Sequence, residues 1–187
     1  MEIAEYTFKI IICGPSAVGK SSLIRRFVDN AFSTDYQFTL GVDFMSKLVE
    51  YEKTKFARLS IWDIGGQDRF QVMRRNFYKG TQGALLVFDL SREQTFYTMQ
   101  DWLSDLHQTI KKDVPIIIIG NKKDIISEIG YVIDREMIRK FINNININLI
   151  ETSAKTGENV TKAFVQLTRL IIINTYKPEI GNLKRIY

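Results

Sequence analysis

Gly14-Pro15-Ser16-Ala17-Val18-Gly19-Lys20-Ser21 satisfies the pattern G-x-x-x-x-G-K-[ST] and stands between a short apolar run and a segment of helical period, the strand-loop-helix setting that motif needs. Gly14 and Gly19 let the backbone turn so that the N–H groups of Ser16, Ala17 and Val18 face inward around an anion, and the helix N-terminus that follows adds its partial positive charge. Lys20 would reach the β- and γ-phosphates of a nucleotide, and the Ser21 hydroxyl would coordinate Mg²⁺. The loop does not name the base. Asn121-Lys122-Lys123-Asp124 does, directly after another apolar run. The Asp124 carboxylate can accept two parallel hydrogen bonds from guanine N1–H and N2–H, a donor pair that adenine lacks. Asn121 would tie this loop to the phosphate loop, and the aliphatic stem of Lys122 would cover one face of the base. Alone, N-K-x-D is a weak signal. It gains weight from Glu151-Thr152-Ser153-Ala154-Lys155, where the Ala154 N–H can meet guanine O6 and Lys155 packs nearby.

These loops need a scaffold that presents them together. Apolar runs at Tyr6 to Cys13, Val42 to Tyr51, Phe56 to Asp63, Gly83 to Asp89, Pro115 to Gly120 and Asn148 to Glu151 read as strands; several are continuously apolar, as a sheet covered on both faces requires. Helical stripes lie between them: Leu23, Ile24, Phe27 and Val28; Phe96, Met99, Leu103, Leu106 and Ile110; Ile133, Met137 and Phe141; Val160, Phe164, Leu167 and Ile171. The short polar segment Glu50 to Lys55 predicts an antiparallel hairpin, and the other connections pass through helices and imply parallel pairing. The expectation is a three-layer α/β/α P-loop NTPase fold, with a six-stranded, mostly parallel sheet, one antiparallel edge strand and about five helices. Ligand loops then gather at the carboxyl ends of the strands.

With these motifs in order, the chain resembles a small GTPase of the Ras superfamily, nearest the Rab branch, from about Tyr6 to Tyr176. The resemblance implies a G domain over residues 1–176 and a switch cycling between GTP-bound and GDP-bound states. It adds Ser22 and Ser153 to the nucleotide site, and Phe32 as an aromatic edge-on to the base. Thr39, within Phe38-Thr39-Leu40-Gly41-Val42-Asp43-Phe44, is similar to the Rab-type first switch, where this threonine contacts both Mg²⁺ and the γ-phosphate; Tyr36 would close over the phosphates. The second switch reads Trp62-Asp63-Ile64-Gly65-Gly66-Gln67. Asp63 would hold Mg²⁺ beside Ser21 and Thr39, Gly66 would offer its N–H to the γ-phosphate, and Gln67 would orient the attacking water. Catalysis thus falls to Gln67, Lys20, Thr39 and Gly66. Because a glutamine amide positions water without removing its proton, intrinsic turnover should be slow, near ~10⁻⁴ to 10⁻³ s⁻¹. An arginine from a partner would add ~10³ to 10⁵, since Arg25 and Arg26 lie in the first helix and are expected at the surface.

Three departures from the commoner family pattern stand out, and the first, Ser16 where many relatives carry glycine, is similar to many Rabs. Ala17 replaces a frequent glycine, which is tolerable if its backbone does not need positive φ. Ile64-Gly65 replaces Thr-Ala and gives an Arf-like glycine pair, whose freedom would loosen the loop that carries Gln67. Phe44, Trp62 and Phe77 match the aromatic positions that Rab proteins present to effectors, so exchange factors, activating proteins and effectors are the expected partners.

Composition sets the remaining bounds. At 187 residues, 45% hydrophobic and 25% charged, the chain suits one globular domain. One cysteine and one histidine, Cys13 and His107, exclude an internal disulfide and a structural zinc site. No apolar run approaches membrane-span length, and Met1-Glu2-Ile3-Ala4-Glu5 lacks the features of a secretory signal. A monomer in the cytoplasm is the expectation. The net charge of +5 is spread over pairs such as Arg25-Arg26 and Lys111-Lys112, more consistent with a solvated surface than with a nucleic-acid site. Residues 177–187 read as a short tail without the cysteine that prenylation requires, so membrane contact is expected only through a partner unless the tail is truncated. Two rival functions are a nucleotide kinase, disfavoured by Asn121 to Asp124, and a hydrolytically silent guanine-nucleotide scaffold, disfavoured by Gln67, Thr39 and Asp63.

Overall fold

A computed structural model describes residues 3–34, 39–67, 71–110 and 113–176. Six strands form one sheet: β1 (Ala4–Cys13), β2 (Val42–Glu52), β3 (Lys55–Ile64), β4 (Gly83–Asp89), β5 (Ile116–Asn121) and β6 (Asn148–Glu151), in the order β2-β3-β1-β4-β5-β6. Among the described residues only β2 runs antiparallel, paired with β3 through the hairpin read from the sequence. The other pairings are parallel. The central strands alternate between two cores, which explains why their sequences are apolar throughout. Ile10 and Ile12 of β1, Leu85 and Val87 of β4, and Ile117 and Ile119 of β5 face α1 (Lys20–Asp29) and α6 (Val160–Tyr176). Their neighbours Ile11, Leu86 and Ile118 face the opposite layer, where Phe96, Met99 and Trp102 of α3 (Glu93–Thr109) cover them. The Phe27 and Phe164 rings stack at 3.9 Å and lock α1 against α6.

Among the described residues there are six helices, two of which left no apolar stripe: α2 (Gln71–Tyr78) and α4 (Lys123–Ile129). In α4 only Ile126 is buried, and seven residues are too few for a periodic pattern. The case of α2 is chemical. Its inward face carries Arg74, 4% exposed, whose guanidinium lies 3.8 Å above the Trp102 ring and donates to buried Asp105 at 3.1 Å. Arg75 donates to the other Asp105 oxygen at 2.7 Å. A paired arginine on an aromatic face packs where an aliphatic residue would, so a reading of apolar positions passes over it. The remaining helix, α5 (Arg135–Ile145), is capped by the Asp134 carboxylate, which accepts from the Glu136 N–H at 2.8 Å.

Candidate functional site

The loops after β1, β3, β5 and β6 meet above the carboxyl edge of the sheet and enclose a cleft of about 710 Å³, the position parallel sheets give to ligands. On one wall Ser16, Ala17, Gly19, Lys20, Ser21 and Ser22 contribute lining, and Thr39, Asp63, Gly66 and Gln67 approach from the second. The third wall holds Asn121, Lys122, Asp124, Ala154 and Lys155, with Phe32 at the rim, 37% exposed. Of the remaining candidates, Gly14, Val18 and Ser153 stand behind the wall, and Tyr36 lies outside the described residues, as does the 177–187 tail.

The phosphate loop is held from several sides. The Lys20 ammonium donates to the Gly14 and Pro15 carbonyls at 2.9 and 2.8 Å, which aims it back across the loop. Burial pushes its pKa down to about 8, against the opposing pull of the Asp63 carboxylate. Ala17 adopts φ 61, so the condition set by the sequence is not met: its backbone does take the left-handed conformation. That costs an L-residue roughly 1–2 kcal/mol, and the loop holds it there nonetheless.

Ser21, Thr39 and Asp63 converge. The Ser21 hydroxyl bonds to Asp63 Oδ2, and Thr39 Oγ1 lies 2.8 Å from Ser21 Oγ and 3.3 Å from Asp63 Oδ2. Burial raises the Asp63 pKa, partly offset by the Ser21 hydrogen bond. Its second oxygen, Oδ1, is buried without a hydrogen-bond partner among the described residues. An orphaned carboxylate oxygen beside two hydroxyls is a hard-oxygen donor set of the kind that suits Mg²⁺.

The glycine pair has a defined task rather than a loosening one. The Gly65 N–H donates to the Gly41 carbonyl at 2.8 Å, and a β-carbon at Gly65 would stand 2.8 Å from the Thr39 carbonyl oxygen. One at Gly66 would lie 2.5 Å from the Pro15 carbonyl carbon. Bare backbone at these positions lets the strand carrying Asp63 touch both the Thr39 segment and the phosphate loop.

Base-side residues are cross-tied to the phosphate side. Buried Asn121 donates through Nδ2 to the Val18 carbonyl at 2.9 Å, the link between loops anticipated from the sequence. Its Oδ1 accepts from Thr152 at 3.1 Å and, at a long 3.3 Å, from the Ala154 N–H. Ser153 donates to Asp124 Oδ1 at 2.5 Å, which fixes one carboxylate oxygen at the start of α4. Three contributors carried no signal in the sequence. Arg26, expected at the surface, donates to the carbonyls of Ala154 and Lys155 at 2.9 and 2.8 Å and staples α1 to the last loop. Asp89 is fully buried and ion-pairs with Lys122 at 2.7 Å and with Arg92 at 2.8 Å. Burial alone would raise the Asp89 pKa, but hydrogen bonds from Lys122, Ser91 and Arg92 outweigh it and hold the carboxyl below the usual range.

A family model described as the Ras family matches residues 9–173, which takes in every wall of this cleft. The chain belongs to the Ras family. Similar relatives include the Ras-related protein Rab-4A of Danio rerio, 38% identical over 175 residues that cover 91% of this chain and 79% of the relative. Rab-4A of Homo sapiens is 37% identical, with coverage of 91% and 77%. The GTP-binding protein ypt1 of Schizosaccharomyces pombe is 34% identical, with coverage of 95% and 84%. This Ras-family chain is therefore a Rab-like small GTPase, a switch that binds and hydrolyses GTP. Guanine nucleotide, together with regulators and effectors in general, comes with the family, as does a general use of Mg²⁺. Among the described residues of this Ras-family protein, no helix is long and apolar enough to cross a membrane.

Proposed function

We propose that the cleft holds guanine at Asp124 and the phosphate chain at Lys20, and that GTP is hydrolysed there by water positioned against Gln67. The observation that carries this assignment is convergence: a base-reading carboxylate, a phosphate-reading amine and a hard-oxygen cluster, far apart in sequence, line the same cleft. The G domain then runs from the N-terminus to residue 176. The base lies between the Lys122 stem and Phe32, its O6 taking the Ala154 N–H while Ser153 keeps Asp124 in register and Lys155 packs beside it. The N–H groups of Ser16 to Ser22 cradle the phosphates. Ser21, Thr39 and Asp63 would hold Mg²⁺, which neutralises the charge that builds on the β- and γ-phosphate oxygens. Gly66 abuts the phosphate loop and would offer its N–H to the γ-phosphate, and Tyr36 would close over the chain.

Hydrolysis on these terms is positional and slow without a partner. Loss of the third phosphate removes what Thr39 and Gly66 would contact, releasing both segments. The silent-scaffold alternative gains nothing from the glycine pair, because Gly65 is tied to Gly41. The decisive experiment loads purified protein with GTP and Mg²⁺ and follows bound nucleotide over hours. Gradual conversion to retained GDP, with release accelerated by EDTA, is expected; unchanged GTP would leave only the scaffold, and indifference to EDTA would remove the Ser21-Thr39-Asp63 assignment.

The partner surface is the aromatic group between the two switch segments. Phe44 is 54% exposed and meets Trp62 edge-on at 4.5 Å, and Phe77 lies 6.2 Å from Trp62. The Lys9 ammonium sits 3.5 Å over the Trp62 ring. Half-buried, mutually packed rings make rigid anchors for a GTP-selective effector. Trp62→Ala should weaken binding of such an effector by more than tenfold while GTP affinity changes less than about twofold; equal losses in both would make the ring a part of the fold alone. Work as a monomer in the cytoplasm, reaching membranes through partners in intracellular trafficking or signalling, completes the reading.

A further inference from the structure

The phosphate loop is gripped from outside by a residue with no place in the expected motifs. Arg92 opens the turn into α3. Its Nε donates to fully buried Asp89 at 2.8 Å, and its Nη2 donates to the Ala17 carbonyl at 2.8 Å and the Ser16 carbonyl at 3.3 Å. In a planar trans peptide the C=O and N–H point in opposite directions. A cation drawing the carbonyls of Ser16 and Ala17 outward therefore turns the N–H groups of Ala17 and Val18 inward, to the side where an anion would lie. It also polarises those peptide units, which strengthens the same N–H groups as donors.

Two further features make this clasp more than a surface contact. Ala17 sits at φ 61, where glycine is normally required, so the conformation that points its N–H inward needs support from outside the residue. The anchoring carboxylate is also shared: Asp89 Oδ2 accepts from Lys122 Nζ at 2.7 Å. One buried carboxylate thus joins the lysine beside the base to the arginine behind the phosphates.

We propose that Arg92 is a positioning residue for nucleotide retention, holding Ala17 in its left-handed conformation with the loop N–H groups aimed at the phosphates, and coupled to Lys122 through Asp89. This rests on the reading of the cleft as a guanine-nucleotide site. A point charge cannot replace the fork, because an ammonium that reaches Asp89 does not simultaneously present a second nitrogen to two carbonyls.

The test measures release of GDP carrying a fluorescent N-methylanthraniloyl group, in excess Mg²⁺, from the full chain. Arg92→Ala should release it about tenfold faster, a size set by hydrogen bonds from a charged, partly exposed donor. Arg92→Lys should recover less than half of that difference on a logarithmic scale. In an Ala17→Gly background the same Arg92→Ala change should cost less than about threefold, because glycine holds the left-handed conformation unaided. Thermal unfolding of the nucleotide-free proteins supplies the control. An arginine that only ties α3 to the body would lower the unfolding temperature and accelerate release equally with and without the Ala17→Gly change, and that result overturns the proposal. So does release at the wild-type rate from Arg92→Ala. Failure of the wild-type protein itself to bind labelled GDP would instead sink the guanine-site reading, so the two failures are distinguishable.

Discussion

Asp124→Ala should weaken GTP binding by roughly 10³- to 10⁴-fold and bring the affinities for GTP and ATP within about tenfold of each other. In the proposed reading this carboxylate takes both N1–H and N2–H of guanine. Removing it leaves two donors on the base facing a wall that offers no replacement, and a site built around specific hydrogen bonds discriminates by the cost of leaving them unmade. The Ser153 hydroxyl, which donates to Asp124 Oδ1 at 2.5 Å, loses its acceptor at the same time. Asp124→Asn separates charge from shape. Its size and a carbonyl for Ser153 remain, but an amide NH₂ now confronts a guanine donor, so the loss should be nearly as large. Competition calorimetry with GTP and ATP reads both variants. A preserved preference for GTP in either would mean that the base is chosen elsewhere.

Gln67→Leu should lower single-turnover GTP hydrolysis by roughly 10²- to 10³-fold, the size expected when one preorganised polar contact to the reacting centre is removed. Leucine is close in volume and keeps the cleft filled, so GDP release should stay within about twofold of the wild-type rate. That split between chemistry and retention separates a water-positioning role from a packing role. Hydrolysis at the wild-type rate would show that Gln67 does not touch the attacking water, and a parallel acceleration of release would show that the loop had moved. Because Gly65 is fixed to Gly41 and Gly66 lies against Pro15, the backbone leading to Gln67 should hold its course in this variant.

Much of this was legible in the chain before folding. The strands lie within one or two residues of the ends read from the sequence, and the apolar runs of β4 and β5 mark segments buried on both faces of the sheet. The antiparallel hairpin followed from a connection too short for a crossover. The motifs also stand as local sequence: a lysine after glycine at the start of α1, and an aspartate opening α4.

Other features were not legible, for particular reasons. The inward face of α2 carries Arg74 as well as Tyr78, and the pairing of Arg74 with Asp105 on α3 joins residues thirty-one positions apart, which no local period encodes. Ala17 stands out in the sequence where glycine is frequent, but only the folded loop shows that its backbone takes positive φ. Gly65 reads as added freedom until the Thr39 segment is seen against it, when its missing side chain becomes the condition for contact.

The sequence by itself determined which chemical groups stand at the ends of which strands, since residue type and hydrophobic pattern are properties of neighbours along the chain. Tertiary structure alone decided how the loops hold one another: the Ser21-Thr39-Asp63 cluster, the Asn121 bridge to Val18, and the Arg92-Asp89-Lys122 chain behind both. Such ties join groups distant along the backbone, and their stability depends on the burial that the assembled sheet and helices provide.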